Sequence, residues 1–183
     1  MSHPRRLFLI PVLLVLAVCC LGFTYPKPSE GDSGRSLGAM SKDQALANAI
    51  KGKLLDKDKE KALKVHVTCV DGKAYLVGRV ADRNFQVYAV QAAREVKGVT
   101  MVTVVFKKNA ATEDKDKEVA ARVREALAAD ADLGSLGLEV EVLDGEAVLL
   151  GKVSNARLKK QAKALVEDVD GVKRVNSLLV TGK

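Results

Sequence analysis

Few side chains in this chain could perform chemistry: among 183 residues there are two His, three Cys and no Trp. His3 falls in the N-terminal leader, which leaves His66 as one imidazole with no second His and no carboxylate at ligand spacing. It reads as a surface residue rather than a base or a metal ligand. Without His3 no Ser/His/Asp set can be assembled, and phosphate-loop and dinucleotide glycine patterns are missing. Cys69 alternates with Val65 and Val67 on an inward strand face and reads as a small buried hydrophobe. The sequence therefore offers no catalytic, cofactor or metal residues. It does offer cations: Lys51, Lys53, Lys57, Lys59, Lys61 and Lys64 cluster in one stretch, and a well-placed Lys near a negative surface is worth about 1 kcal/mol. The chemistry this suggests is contact with anionic phospholipid headgroups. Asp56, Asp58 and Glu60 dilute the field, so a solvated loop of mixed charge is the alternative.

The N-terminus carries the other candidate. Arg5 and Arg6 precede an apolar run from Leu7 to Cys20, then Leu21, Gly22 and Phe23 lead into polar sequence, the pattern of a signal peptide over residues 1–22. Leu16-Ala17-Val18-Cys19 resembles a bacterial lipobox, with Val18 where a small residue is usual, and makes Cys19 the candidate lipidation site. Three outcomes stay open: a lipidated Cys19, a simple cut after Gly22, and an uncleaved anchor, since Leu7 to Phe23 is at the short edge of the roughly 17 to 25 residues that span a bilayer. With Cys19 and Cys20 in this segment, only Cys69 lies in the body, and no intrachain disulfide framework can form. Residues 23–40, rich in turn formers, read as a flexible linker.

These candidates must be positioned by a body of about 140 residues that is 48% apolar and 29% charged across the whole chain, a globular balance. The body is a repeat. Displaced by 73 positions, Asp71-Gly72 meets Asp144-Gly145, Asp43 meets Asp116, Leu76 meets Leu149, Gly78 meets Gly151, and Gly98-Val99 meets Gly171-Val172. Two domains follow, 41–110 and 111–183. Ser41 and Gln44 form a capping-box pattern before a helical stripe through Leu46, Ile50 and Leu54, matched by Val119, Val123 and Leu127. Asp-Gly between two alternating runs predicts a type I′ hairpin. Caps at Asp82 and Asn155 predict helices Phe85 to Val96 and Leu158 to Val169, stopped by Gly98 and Gly171. Last strands run Thr100 to Phe106 and Lys173 to Val180. The class is α+β, two tandem αββαβ units, each a three-stranded sheet covered on one face by two helices.

This order, with Val70-Asp71-Gly72 through Leu76-Val77-Gly78-Arg79-Val80 and Gly98-Val99-Thr100-Met101-Val102 in the first copy, and Leu143-Asp144-Gly145 through Leu149-Leu150-Gly151-Lys152-Val153 and Gly171-Val172 in the second, resembles the BON domain. The resemblance implies a non-enzymatic bacterial envelope protein of the osmotically inducible type, exported to the periplasm and, if lipidated, anchored to the outer membrane. It implies binding to phospholipid surfaces in support of envelope integrity. The alternative is a soluble periplasmic adaptor or chaperone-like module with envelope proteins as partners. Asp71, Gly72, Gly78, Gly98, Asp144, Gly145, Gly151 and Gly171 are structural motif residues in this reading.

Charge separates the copies. Residues 41–110 hold 14 Lys plus Arg against 7 Asp plus Glu, whereas 111–183 hold 12 against 14. A second basic group, Arg157, Lys159, Lys160 and Lys163, reads as the solvated side of the last helix. Nucleic acid is excluded as a partner by export and by the missing aromatic stripe and Gly-x-x-Gly loop. Hairpin register puts Tyr75 and Val77 opposite Thr68 and His66, and Val148 and Leu150 opposite Glu141 and Glu139, on the sheet face away from the helices. That face needs cover, from the other repeat or from a protein or lipid partner. Oligomeric state is left open.

Overall fold

A computed structural model describes residues 37–108 and 111–182. The expected signal peptide with Cys19, and the expected linker as far as residue 36, lie outside the described residues. In chain order the first repeat contains α1 (Leu37–Lys57), α2 (Lys59–Leu63), β1 (Val65–Val70), β2 (Lys73–Arg79), α3 (Arg83–Arg94) and β3 (Met101–Lys107). The second contains α4 (Glu113–Ala129), a single 3₁₀ turn (Gly134–Leu136), β4 (Glu139–Leu143), β5 (Glu146–Leu150), β6 (Lys152–Val153), α5 (Ala156–Glu167), β7 (Arg174–Ser177) and β8 (Val180–Thr181).

Each sheet has its hairpin as an antiparallel pair, with the last strand returning parallel to the second: the orders are β1-β2-β3 and β4-β5-β7. The α+β expectation holds. The last strand of the second repeat divides into β7 and β8, yet it keeps one register, since Glu146 pairs Arg174 and Lys152 pairs Val180 at the same offset. Three sequence expectations need correction. Helix α1 begins at Leu37, so Ser41 lies inside it rather than capping it, and residues 37–40 belong to the helix rather than to the linker. Leu37, Ala39 and Met40 are good helix formers and carry the helix upstream. The lysine-rich loop contains a helical turn, α2, because Asp58 caps it by accepting from the Lys61 amide at 3.0 Å. Helices α3 and α5 start two residues earlier than the apolar stripe, directly after Asp82 and Asn155, whose side chains accept from the first-turn amides.

Both hairpins turn through left-handed backbone: Asp71 and Gly72 have φ 51° and 73°, Asp144 and Gly145 φ 58° and 80°. Two consecutive positive φ values are what a type I′ turn requires, and Asp-Gly tolerates them. Each turn is tied to its helix. The Asp43 carboxylate accepts from the Asp71 and Gly72 amides at 2.8 and 2.9 Å, and Asp116 accepts from Asp144 and Gly145 at 2.8 and 3.0 Å. Gly78 meets a different constraint, since a Cβ there would lie 2.1 Å from the Lys64 carbonyl oxygen.

Apolar burial forms three clusters. One lies under α1 and α3 and includes Ile50, Leu54, Leu76 and Cys69. A second, under α4 and α5, includes Val123, Leu133, Leu149 and Ala162. The third lies between the two sheets: Val70, Tyr75 and Val77 from one repeat, Leu143, Val148 and Leu150 from the other, flanked by Val105, Leu178 and Val180. The helix-free sheet faces cover each other, which answers the question the outward apolar residues posed.

Candidate functional site

The interface between the sheets is built twice over. Arg79 Nη1 donates to Asp144 at 3.0 Å, and Lys152 Nζ donates to Asp71 at 3.0 Å. Lys152 is the repeat equivalent of Arg79, and Asp144 that of Asp71, so one ion pair occurs in both directions. His66 Nε2 lies 2.8 Å from Glu139, its own equivalent, while His66 Nδ1 is 3.7 Å from Glu141 and Thr68 Oγ1 donates to Glu139 at 3.3 Å. Thr68 and Glu141 are equivalent too. Every one of these contacts maps onto itself or onto another under exchange of the repeats, the signature of an isologous, twofold interface.

His66 is therefore not an open surface residue. It is half-buried between repeats, and the carboxylates beside it, Glu139 and Glu141, arrive from the other repeat, where local spacing could not show them. Its imidazole is held above its ordinary value, chiefly by the hydrogen bond to Glu139, with burial opposing. Arg79 is an enclosed cation: its side chain is 9% exposed and also pairs with Asp116, 6% exposed. The Thr112 hydroxyl, within 2.7 Å of Asp144 and 2.9 Å of Asp116, shares that network and holds the Asp144 carboxyl below its usual range together with Arg79. Glu146, 7% exposed, meets Lys107 from the other repeat at 2.8 Å. Burial would raise its carboxyl, but hydrogen bonds from Lys107, Arg174 and Asn176 outweigh this and leave it lowered. Nothing in local sequence marks these cross-repeat pairs. The 73-residue register makes Arg79 and Lys152, and Asp71 and Asp144, equivalent, but it gives no sign of Lys107 with Glu146, whose equivalents are Val180 and Lys73.

The lysine cluster is divided by its partners. Lys51 Nζ donates to the carbonyls of Ala62 and Val65 at 2.7 and 2.5 Å, and burial lowers its pKa. Lys53 pairs with Glu95 at 2.8 Å, and Lys61 bridges Asp58 and Asp82, each at 2.8 Å. These three fasten the domain. Lys57, Lys59 and Lys64 are exposed, with Lys57 Nζ 5.3 Å from the Tyr88 ring centroid and Lys64 3.0 Å from Glu60. Between the last two, Leu63 projects from α2 at 67% exposure. Sequence reading missed it because α2 itself was missed; Lys59 and Leu63 share a helical face four residues apart.

The remaining candidates have structural surroundings. Gly98 and Gly171 follow α3 and α5 at φ 107° and 93°, and Gly151 separates β5 from β6 at φ 132°. Lys159 donates to the Leu179 carbonyl and is half-buried, whereas Arg157, paired with Asp132, Lys160, and Lys163, paired with Glu167, form the exposed side of that group. Cys69 is buried in the helix-side cluster, and burial pushes its thiol up to about 11. Among the described residues no group of His, Cys, Asp or Glu could hold a metal ion, and no helix is long and apolar enough to cross a membrane. A cleft of about 490 Å³ opens along the seam, between Lys51, Lys64 and His66 on one side and Lys117, Arg124 and Glu141 on the other.

Two helix-covered three-stranded sheets, tied by Asp-Gly hairpins and packed through their bare faces, define a tandem-repeat α+β protein. The BON domain profile matches residues 42–107 and again 115–183, and the chain belongs to that family. It is 28% identical to the osmotically-inducible protein Y of Escherichia coli over 155 residues, covering 81% of this chain and 77% of the relative. Two solved structures of CdsD, a structural protein of the type III secretion system of Chlamydia trachomatis, are also similar. They share 14% and 13% identity, with TM-scores of 0.33 and 0.29. The matches cover 77% and 75% of this chain, and 67% and 92% of those chains.

Proposed function

We propose that the protein is a non-enzymatic envelope protein of the osmotic stress response that binds anionic phospholipid surfaces through the tip formed by α2. The observation that carries this reading is Leu63, 67% exposed and flanked in sequence by the exposed Lys59 and Lys64, with the exposed Lys57 at the end of α1. An apolar side chain with Lys59 and Lys64 beside it, and Glu60 paired to Lys64, can enter the headgroup boundary while the ammonium groups meet phosphate. The osmotically inducible relative supports the setting, and the signal-peptide pattern supports export to the periplasm. A diacylated Cys19 would add an independent tether. Of the six lysines in the cluster, Lys51, Lys53 and Lys61 serve the fold, and the contact falls to Lys57, Lys59 and Lys64.

Sedimentation with vesicles of neutral and of anionic lipid, at two salt concentrations, tests the reading on the chain from residue 23 onward. Binding should require anionic lipid, weaken with salt, and fall at least tenfold in a Leu63→Ser, Lys59→Glu, Lys64→Glu variant whose circular dichroism is unchanged. Binding equal in the variant and the parent would overturn it, and no binding by either would move the search to envelope proteins as partners.

A further inference from the structure

Beside the one-way pair of Lys107 with Glu146, whose repeat equivalents are Val180 and Lys73, the contacts that recur under exchange of the repeats fall into two kinds that behave differently if like repeats were paired. Arg79 with Asp144, and Lys152 with Asp71, are one basic position meeting one acidic position, and both repeats carry both. Any pairing, like or unlike, would keep these bonds. They hold the sheets together without choosing the partner. The β1 and β4 positions do choose. In a twofold interface position 66 meets position 139, its own equivalent, and positions 68 and 141 flank them.

With unlike repeats the imidazole of His66 meets the carboxylates of Glu139 and Glu141, and the Thr68 hydroxyl donates to Glu139. Were two copies of the second repeat to pair, Glu139 and Glu141 of each would converge, four carboxylates in one patch. Like charges directly opposite one another are destabilising. Two copies of the first repeat would set imidazole against imidazole, with hydroxyls alongside and no carboxylate to receive a proton. We propose that His66, Thr68, Glu139 and Glu141 are a pairing determinant of this protein, selecting the unlike repeat as the occupant of each bare sheet face and rejecting a second copy of the same one. Specificity of this kind comes as much from the repulsion it builds against the wrong partner as from attraction to the right one. The residues sit at the rim, outside both helix-side clusters, so they can be exchanged without emptying a core.

The symmetry supplies its own test in the full chain. The half exchange H66E/T68E places four carboxylates together; the complete exchange H66E/T68E/E139H/E141T rebuilds the original contacts with the repeats' roles reversed. The half exchange should lower the melting midpoint and increase the radius of gyration in small-angle scattering while far-UV circular dichroism keeps its shape. The complete exchange should return both values to those of the parent. A complete exchange that behaves like the half exchange, or a half exchange that changes neither value, would overturn the proposal. A milder variant guards against a half exchange that does not fold. His66 faces Glu139 and Glu141 from β4 and feels Lys51 from α1, so Glu139→Gln should bring its NMR titration midpoint down toward the ordinary 6.5. A midpoint that stays in place sinks the assignment.

Discussion

The two repeats share a frame residue for residue and differ in what they load onto it. At the helix-to-turn tie, Asp43 serves only the Asp71-Gly72 amides, whereas Asp116 serves the equivalent amides and also receives Arg79 from the other repeat. After the first helix, repeat one inserts α2 with its exposed Leu63 and lysines, while repeat two has a 3₁₀ turn with Leu133 buried at 1% exposure. Repeat one is basic and repeat two slightly acidic. The comparison teaches a division of labour. Asp43 and Asp116 with their Asp-Gly turns close the fold in both copies, while His66 and Thr68 against Glu139 and Glu141 diverged where the repeats meet.

The strongest way to break that comparison is at the tie. Asp116→Ala strips a partner from the enclosed Arg79 and leaves two turn amides unsatisfied, so urea unfolding should show a loss of roughly 3–5 kcal/mol. Asp43→Ala removes only the turn bonds and should lose about 1–2 kcal/mol. Equal losses would mean that the two ties are equivalent after all. Next in size is the bare-face cluster. Leu150→Ala, fully buried, should destabilise by roughly 2–4 kcal/mol. Its equivalent Val77→Ala, also buried, removes less and should fall about 1 kcal/mol short of that. Calorimetry that finds both neutral would show that the sheet faces contribute nothing.

The smallest effect is a pH dependence that belongs to repeat one's imidazole. Because His66 is raised in the folded state, its contribution is complete below about 6.5, its ordinary value, and is lost as pH rises through the raised folded value. The melting midpoint should fall between pH 6 and pH 9 by more in the parent than in His66→Gln. Parallel curves for the two proteins would remove His66 from the linkage.

Much of the frame was legible because its signals are local or periodic. Asp-Gly between alternating runs marks the hairpins, and the 73-residue register marks the duplication. The hairpin register alone placed Tyr75, Val77, Val148 and Leu150 on one face and showed that it needed cover. What was hidden depends on distance in sequence. His66 read as a surface residue because Glu139 and Glu141 belong to the other repeat, and Lys51 and Lys53 read as free cations because their acceptors, Ala62, Val65 and Glu95, are set by the fold, while Lys61 has one local partner, Asp58, and one distant one, Asp82. Helix α2 escaped because it is only five residues long and too short to show a period.

The connection between the repeats has a thermodynamic consequence. Strand β3 ends at Lys107 and α4 begins at Glu113. A tether that short makes association unimolecular, with an effective concentration on the order of millimolar. Against that concentration a contact with a dissociation constant of roughly 10 μM would already be closed about 99% of the time. The sheet-to-sheet contact therefore needs no more strength than a transient encounter between separate proteins, and small changes in it, by a charge or a proton, would be read out directly as the fraction of chains that stand open.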